Sequence, residues 1–192
     1  MTAVGAGLVP RPLPPMDVLD HISAGIFAAT MAPLFEGAPR FLGRLAVARP
    51  FGTLEALFEG ARRIAHGMPI AEQLELIDAH PRLGAPPASV SAMSFVEQGY
   101  DQTAADRAAH EAGTERSRVA AELDRLNTAY EAQFGFHYCV FVAGRPLAEL
   151  LEGLREALAA ERSAELSRAI DAVVDIAADR AEKLGFAREE DG

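Results

Sequence analysis

Three separated groups of residues in this sequence have types and spacing suited to acid–base chemistry. The first is Ile77-Asp78-Ala79-His80-Pro81. A residue before proline is pushed out of helical geometry, so His80 should stand where a helix stops and an irregular loop begins. An imidazole fixed there suits proton transfer near neutral pH, and a helix C-terminus favours its cationic form. A histidine that merely caps its own helix is the structural alternative. The second group is Ser94-Phe95-Val96-Glu97-Gln98, in which Ser94 and Glu97 have the spacing of a capping box at the start of a helix. The carboxylate there also lies at a helix end that attracts anionic ligands. The third is Arg180, which interrupts the apolar stripe Leu166, Ile170, Val173, Ala177, Leu184. A guanidinium on a core-facing stripe must meet a carboxylate, either of the protein (Glu97) or of a substrate, unless it snorkels to solvent. If it organises a site, Arg180→Met should preserve or raise stability while turnover collapses.

Other chemistries find less support. The five histidines include no pair three or four apart, and HExxH is absent, so we expect no metal site. GxGxxG and GxxxxGK[ST] are missing too. Cys139 sits in an apolar run, where a lone thiol is a small buried hydrophobe more often than a nucleophile.

Apolar residues recur at spacings of three and four almost throughout, which predicts an all-α, single-domain bundle of about eight helices. The expected helices are Asp17 to Ala29, Phe35 to Ala46, Thr53 to Ala65, Ile70 to Ala79, Phe95 to beyond Arg107, Glu115 to Phe134, Leu147 to Ala160 and Ala164 to Leu184. Pro86-Pro87 breaks the chain into a loop from Pro81 to Ala92. Phe136 to Val142, aromatic and β-branched, reads as one short extended connector, buried because it has no strand to pair with. Residues 1–15, with four prolines, read as a flexible arm, 16–185 as the helical domain and 186–192 as a solvated tail.

With 192 residues and 49% hydrophobic content, the chain can bury one sizeable core. Its net charge of −10 spreads over helical faces without a basic block, which argues against nucleic acid as a partner. No apolar run reaches membrane-spanning length, and a single cysteine excludes an internal disulfide framework. A cytoplasmic location is expected.

Phe35-Glu36, Arg49-Pro50-Phe51, His80-Pro81, Ser94-x-x-Glu97-Gln98, Phe134-Gly135-Phe136 and the late Arg180 follow one another in a pattern that resembles the 2-oxo-4-hydroxy-4-carboxy-5-ureidoimidazoline (OHCU) decarboxylases, from about Met16 to Leu184. The resemblance implies a helical homodimer without metal or organic cofactor that acts on a small ureide and releases CO2 to give (S)-allantoin in urate breakdown. It makes His80 the proton donor, with Glu97 and Arg180 beside it. Substrate contacts are implied for Pro81, for Ser94, Phe95, Val96, Glu97 and Gln98, and for Tyr138, Cys139, Val140, Phe141 and Val142, the last five through backbone groups. This chain departs from the family pattern at His137, where proline is usual, and in having no tryptophan after Phe35-Glu36. A paralogue acting on a methylated or other small ureide or β-imino acid, and a ligand-binding helical module without turnover, are the rival readings.

Overall fold

The apolar stripe on the last long helix faces the core of the molecule. The computed structural model describes residues 11–100, 113–145 and 147–186. Along them run α1 (Met16–His21), α2 (Ala24–Met31), α3 (Pro39–Val47), α4 (Leu54–Gly67), α5 (Ile70–Asp78), a 3₁₀ turn (Pro87–Ser89), α6 (Ala92–Glu97), α7 (Gly113–Phe134), α8 (Leu147–Ala157) and α9 (Arg162–Leu184). α9 buries Leu166, Ile170, Val173, Ala177 and their neighbours and packs against α4 and α5. α3 packs on α2, α4 and α5, while α7 packs on α8. The molecule is all-α, with nine α-helices among the described residues. No helix among them is long and apolar enough to cross a membrane.

Three helices differ from expectation, each for a local reason. The helix expected from Asp17 to Ala29 is two, because Ser23 caps α2 by accepting from the Ile26 amide (3.3 Å), and Ile22 is extended. The break leaves the Leu19 and Ile22 carbonyls to accept from Arg49 Nη1 at 2.8 and 2.7 Å. The helix expected from Phe35 begins only at Pro39, since Glu36 and Gly37 adopt left-handed φ values of 49° and 79°. The helix expected from Phe95 starts earlier, at Ala92, and stops at Glu97 in a turn containing left-handed Gly99. Its expected continuation, residues 101–107, lies outside the described residues.

Phe136 to Val142 forms no ladder and is held by side chains. Arg168 Nη1 donates to the Cys139 carbonyl (2.9 Å), and the guanidinium lies 4.8 Å from the centre of the Tyr138 ring. Arg168 is fixed by the buried Glu165, which also accepts from Tyr130 at 2.8 Å. From the other side, Asp78 at the end of α5 accepts from the His137 amide at 2.8 Å. The proline-rich arm meets the end of α9 at Leu13. Leu13 is buried, its amide donates to the Gly185 carbonyl (2.8 Å), and it bridges to Phe186. Residues 1–10 and 187–192, where the rest of the arm and tail fall, lie outside the described residues.

The loop after α5 is pinned to α7 and α6. Asn127 donates to the Leu83 carbonyl (3.0 Å), and the Gly84 amide donates to Gln98 Oε1 (2.8 Å). Gly84 has φ 78°, and a Cβ there would lie 2.5 Å from Leu123 Cδ2. Gly84→Ala should therefore lower the urea-unfolding free energy by roughly 1–3 kcal/mol, from left-handed strain together with overpacking.

Candidate active site

His80 stands just past α5, where Pro81 ends helical geometry and the His80 amide donates to the Ile77 carbonyl at 3.0 Å. The residue is 4% exposed. Nδ1 lies 3.2 Å from the Leu76 carbonyl oxygen, whereas Nε2 has no partner among the described residues. His80 lines a narrow recess, about 40 Å³ in volume, with Pro81, Leu83, Ser94, Glu97, Gln98, Tyr138, Cys139, Val140, Val142, Ile176 and Arg180.

His80 is not the cation that its helix-end position suggests. Burial, followed by the nearby Arg180 cation, pushes its pKa down to about 4; Glu36 and the Leu76 carbonyl oppose the shift without overcoming it. The imidazole is neutral at neutral pH. A neutral ring beside a carbonyl acceptor carries its proton on Nδ1, which leaves a lone pair on Nε2. The ring expected to be cationic and ready to donate is, at rest, an acceptor.

Arg180 is 0% exposed, which excludes snorkelling. Its Nε and Nη2 each donate to an oxygen of Glu97, both at 2.7 Å. Nη2 also reaches Glu36 Oε1 (2.8 Å) and Ser94 Oγ (3.0 Å), and Nη1 donates to the Pro33 (2.9 Å) and Leu34 (3.3 Å) carbonyls. The partner is thus a protein carboxylate, as one of the two expectations had it, and a second carboxylate joins it. Burial pushes the Glu36 carboxyl up, but Arg180 and the Ser94 and Ser91 hydroxyls more than offset this and hold it below its ordinary value.

The expected capping box of Ser94 and Glu97 does not form, and the cap lies three residues earlier. Ser91 caps α6 by accepting from the Ser94 amide (3.1 Å), which frees the Ser94 hydroxyl to donate to Glu36 (2.7 Å). Glu97 ends the helix and turns to Arg180. Of the expected substrate contacts, Phe95 packs on Tyr100 with ring centres 5.5 Å apart, Val96 is exposed, and Phe141 borders a different surface groove. None of these three side chains lines the recess. Leu83 and Ile176 line it unforeseen. Glu36 was visible only as part of a family pattern; the local signal for it is a Glu-Gly pair three residues before a helix-starting proline. Burial pushes the Cys139 thiol up to about 12, so it stays protonated. No three His, Cys, Asp or Glu side chains among the described residues converge as metal ligands do.

Two outcomes follow from these surroundings. A histidine with a pKa lower in the folded than in the unfolded chain stabilises the fold above the unfolded value of 6.5, and that stability is lost as pH falls toward 4, because the unfolded chain then binds more protons. The wild type should lose up to about 3 kcal/mol of unfolding free energy over this interval through His80. His80→Asn should show a flatter profile when urea unfolding is followed at pH 7 and pH 4.5. Arg180→Met should not preserve stability, contrary to expectation, since it strands two carboxylates in a buried site at a cost of about 3–5 kcal/mol. A companion Glu97→Gln should recover part of that loss in the same unfolding measurement.

Comparison with known proteins agrees with this architecture. A family profile described as OHCU decarboxylase matches residues 20–182. The uric acid degradation bifunctional protein PucL of Bacillus subtilis (strain 168) is 28% identical over 162 residues, which are 84% of this chain and 31% of that protein. The 2-oxo-4-hydroxy-4-carboxy-5-ureidoimidazoline decarboxylase of Amia calva is 27% identical over 161 residues, 84% of this chain and 89% of that protein. The chain spans about a third of the length of the bifunctional relatives. Among solved structures, an OHCU decarboxylase crystallised in the presence of (S)-allantoin superposes with a TM-score of 0.59 at 24% identity, covering 80% of this chain and 94% of that one. An (S)-allantoin synthase gives 0.64 at 18% identity, covering 91% and 54%. These structural likenesses speak for the fold, and the profile, running from within α1 to within α9, speaks for descent: the chain belongs to the OHCU decarboxylase family.

Proposed function

We propose that this chain decarboxylates 2-oxo-4-hydroxy-4-carboxy-5-ureidoimidazoline to (S)-allantoin in urate breakdown, without a cofactor. The observation that carries the reading is a buried, neutral His80 with an unpartnered Nε2 in the same recess as a Glu97 fixed through both oxygens, in a chain of this family.

In the substrate, the departing carboxylate sits on a ring carbon that also bears a hydroxyl and adjoins a ring C=N bond. As the bond to the carboxylate breaks, its electron pair forms a C=C bond, and the displaced C=N pair goes to nitrogen, which takes up a proton. CO2 leaves behind an ene-amine with an enol hydroxyl. Moving the enol proton to the neighbouring carbon completes allantoin, so the anion and one proton give allantoin and CO2. The ring C=N bond is the electron sink.

A neutral imidazole with a free Nε2 suits the second stage, taking the hydroxyl proton and returning it to one face of the adjacent carbon, which makes a single enantiomer. Glu97, held by Arg180, orients the polar groups of the ring. Pro81, Ser94, Gln98, Tyr138, Cys139, Val140 and Val142 border the substrate, with backbone groups of Phe95, Val96 and Phe141 completing its surroundings. A homodimer belongs to the same reading on the strength of the resemblance, and a cytoplasmic location on that of the composition.

The test is to generate the unstable intermediate from urate with upstream enzymes, add the protein and follow circular dichroism. Optically active allantoin should form at early times, and His80→Asn should slow it by roughly 10²–10⁴-fold while the protein stays folded. Racemic product at the spontaneous rate from the wild type would rule the reading out.

A further inference from the structure

Glu36 has no role in the chemistry above, yet the fold invests in it. It is a non-glycine residue in the left-handed region, with φ 49°, a conformation that costs on the order of 1–2 kcal/mol. Such strain persists where the surroundings impose it. The side chain is 10% exposed, and its Oε1 alone accepts from Ser91 Oγ (2.7 Å), Ser94 Oγ (2.7 Å) and Arg180 Nη2 (2.8 Å).

The consequence falls on Arg180. A guanidinium has five N–H groups. Here Nε–H goes to Glu97, the two on Nη1 to the Pro33 and Leu34 carbonyls, and the two on Nη2 are shared among Glu97, Glu36 and Ser94. No donor remains for a ligand, although Arg180 borders the recess. One guanidinium between two carboxylates also leaves the cluster with a formal charge of −1.

We infer that Glu36 is a positioning residue that keeps Arg180 on Glu97 and off the carboxylate the substrate loses. This rests on the decarboxylase reading. In that reaction the negative charge leaves the carboxylate and spreads into the ring as the bond breaks. A cation paired with the carboxylate stabilises the ground state more than the transition state and slows the step. Glu36 prevents this pairing in two ways, by occupying Nη2 and by making the wall of the recess repel an anion.

The test compares wild type with Glu36→Gln, which keeps the shape and removes the charge. Binding of two probes is measured by calorimetry, independently of turnover: allantoate, a ureide with a carboxylate, and (S)-allantoin, which has none. In Glu36→Gln, allantoate should bind about tenfold tighter, the scale of one unit charge acting over several ångströms of protein, while allantoin changes little. Turnover should fall without a rise in KM, a split that general loosening of the site would not produce. Should Glu36→Gln fail to fold, Glu36→Asp retracts the carboxylate from Nη2 and should tighten allantoate in the same sense. An unchanged ratio of allantoate to allantoin affinity in the folded variant, or no binding of allantoate by either protein, overturns the inference. Failure of the wild type to make optically active allantoin counts instead against the decarboxylase reading.

Discussion

A guanidinium with no exposed surface sits in an apolar helical core, and the demands of that one cation organise the rest of the site. Arg180 must find acceptors for all its donors or the helix that carries it cannot pack. The acceptors come from two other parts of the chain: Glu97 and Ser94 of α6, and the turn from Pro33 to Glu36 between α2 and α3. α6 has six residues, too few to be stable as an isolated helix. Its position comes from Arg180 and from the Ser91 and Ser94 hydroxyls on Glu36. Arg180 thereby fixes one wall of the recess.

A second arginine of the same helix fixes the opposite wall. Arg168 lies twelve residues before Arg180, about 18 Å along α9. It is anchored by Glu165 and donates to the Cys139 carbonyl, which holds Phe136 to Val142 in place without a strand partner. The two pairs share a logic. In each, a carboxylate satisfies an arginine, and the remaining guanidinium N–H groups reach backbone carbonyls of an irregular segment that could not otherwise be held. α9 thus positions both the carboxylate of α6 and the connector, and α5 delivers His80 between them.

Much of this was legible from residue spacing. The bounds of α4, α5, α7 and α9 fall within two residues of the periodic pattern, because the stripes that define them face the core over many turns. The inward direction of Arg180 was legible for the same reason. What escaped was decided by partners far along the chain. Ser91 and Ser94 are both plausible caps by spacing; Ser91 takes the cap, and both hydroxyls donate to Glu36, 58 residues before Ser94, a partner that local spacing does not reveal. The break at Ile22 coincides with Arg49, 27 residues on, accepted by the carbonyls it exposes. The charge of His80 was misjudged because a helix end favours a cation only where solvent shares the cost; with the residue 4% exposed and a second cation nearby, burial prevails.

Under the decarboxylase proposal, the neutral histidine and the saturated arginine answer the same electrostatic problem. An anionic substrate that gives up its charge as CO2 departs gains nothing from a site built to hold that charge. It gains from a site where no free cation competes with the developing enamine for the electrons. A group is then needed that moves a proton between two atoms of one molecule, and a neutral imidazole does this by accepting and returning the same proton, with no net change in its charge over the cycle. In the proposed reaction, desolvation and Arg180, which together make His80 a poor cation, are what would fit it for proton transfer. Glu36, by moderating the effect of Arg180 on the ring while occupying its remaining donor, links the two settings.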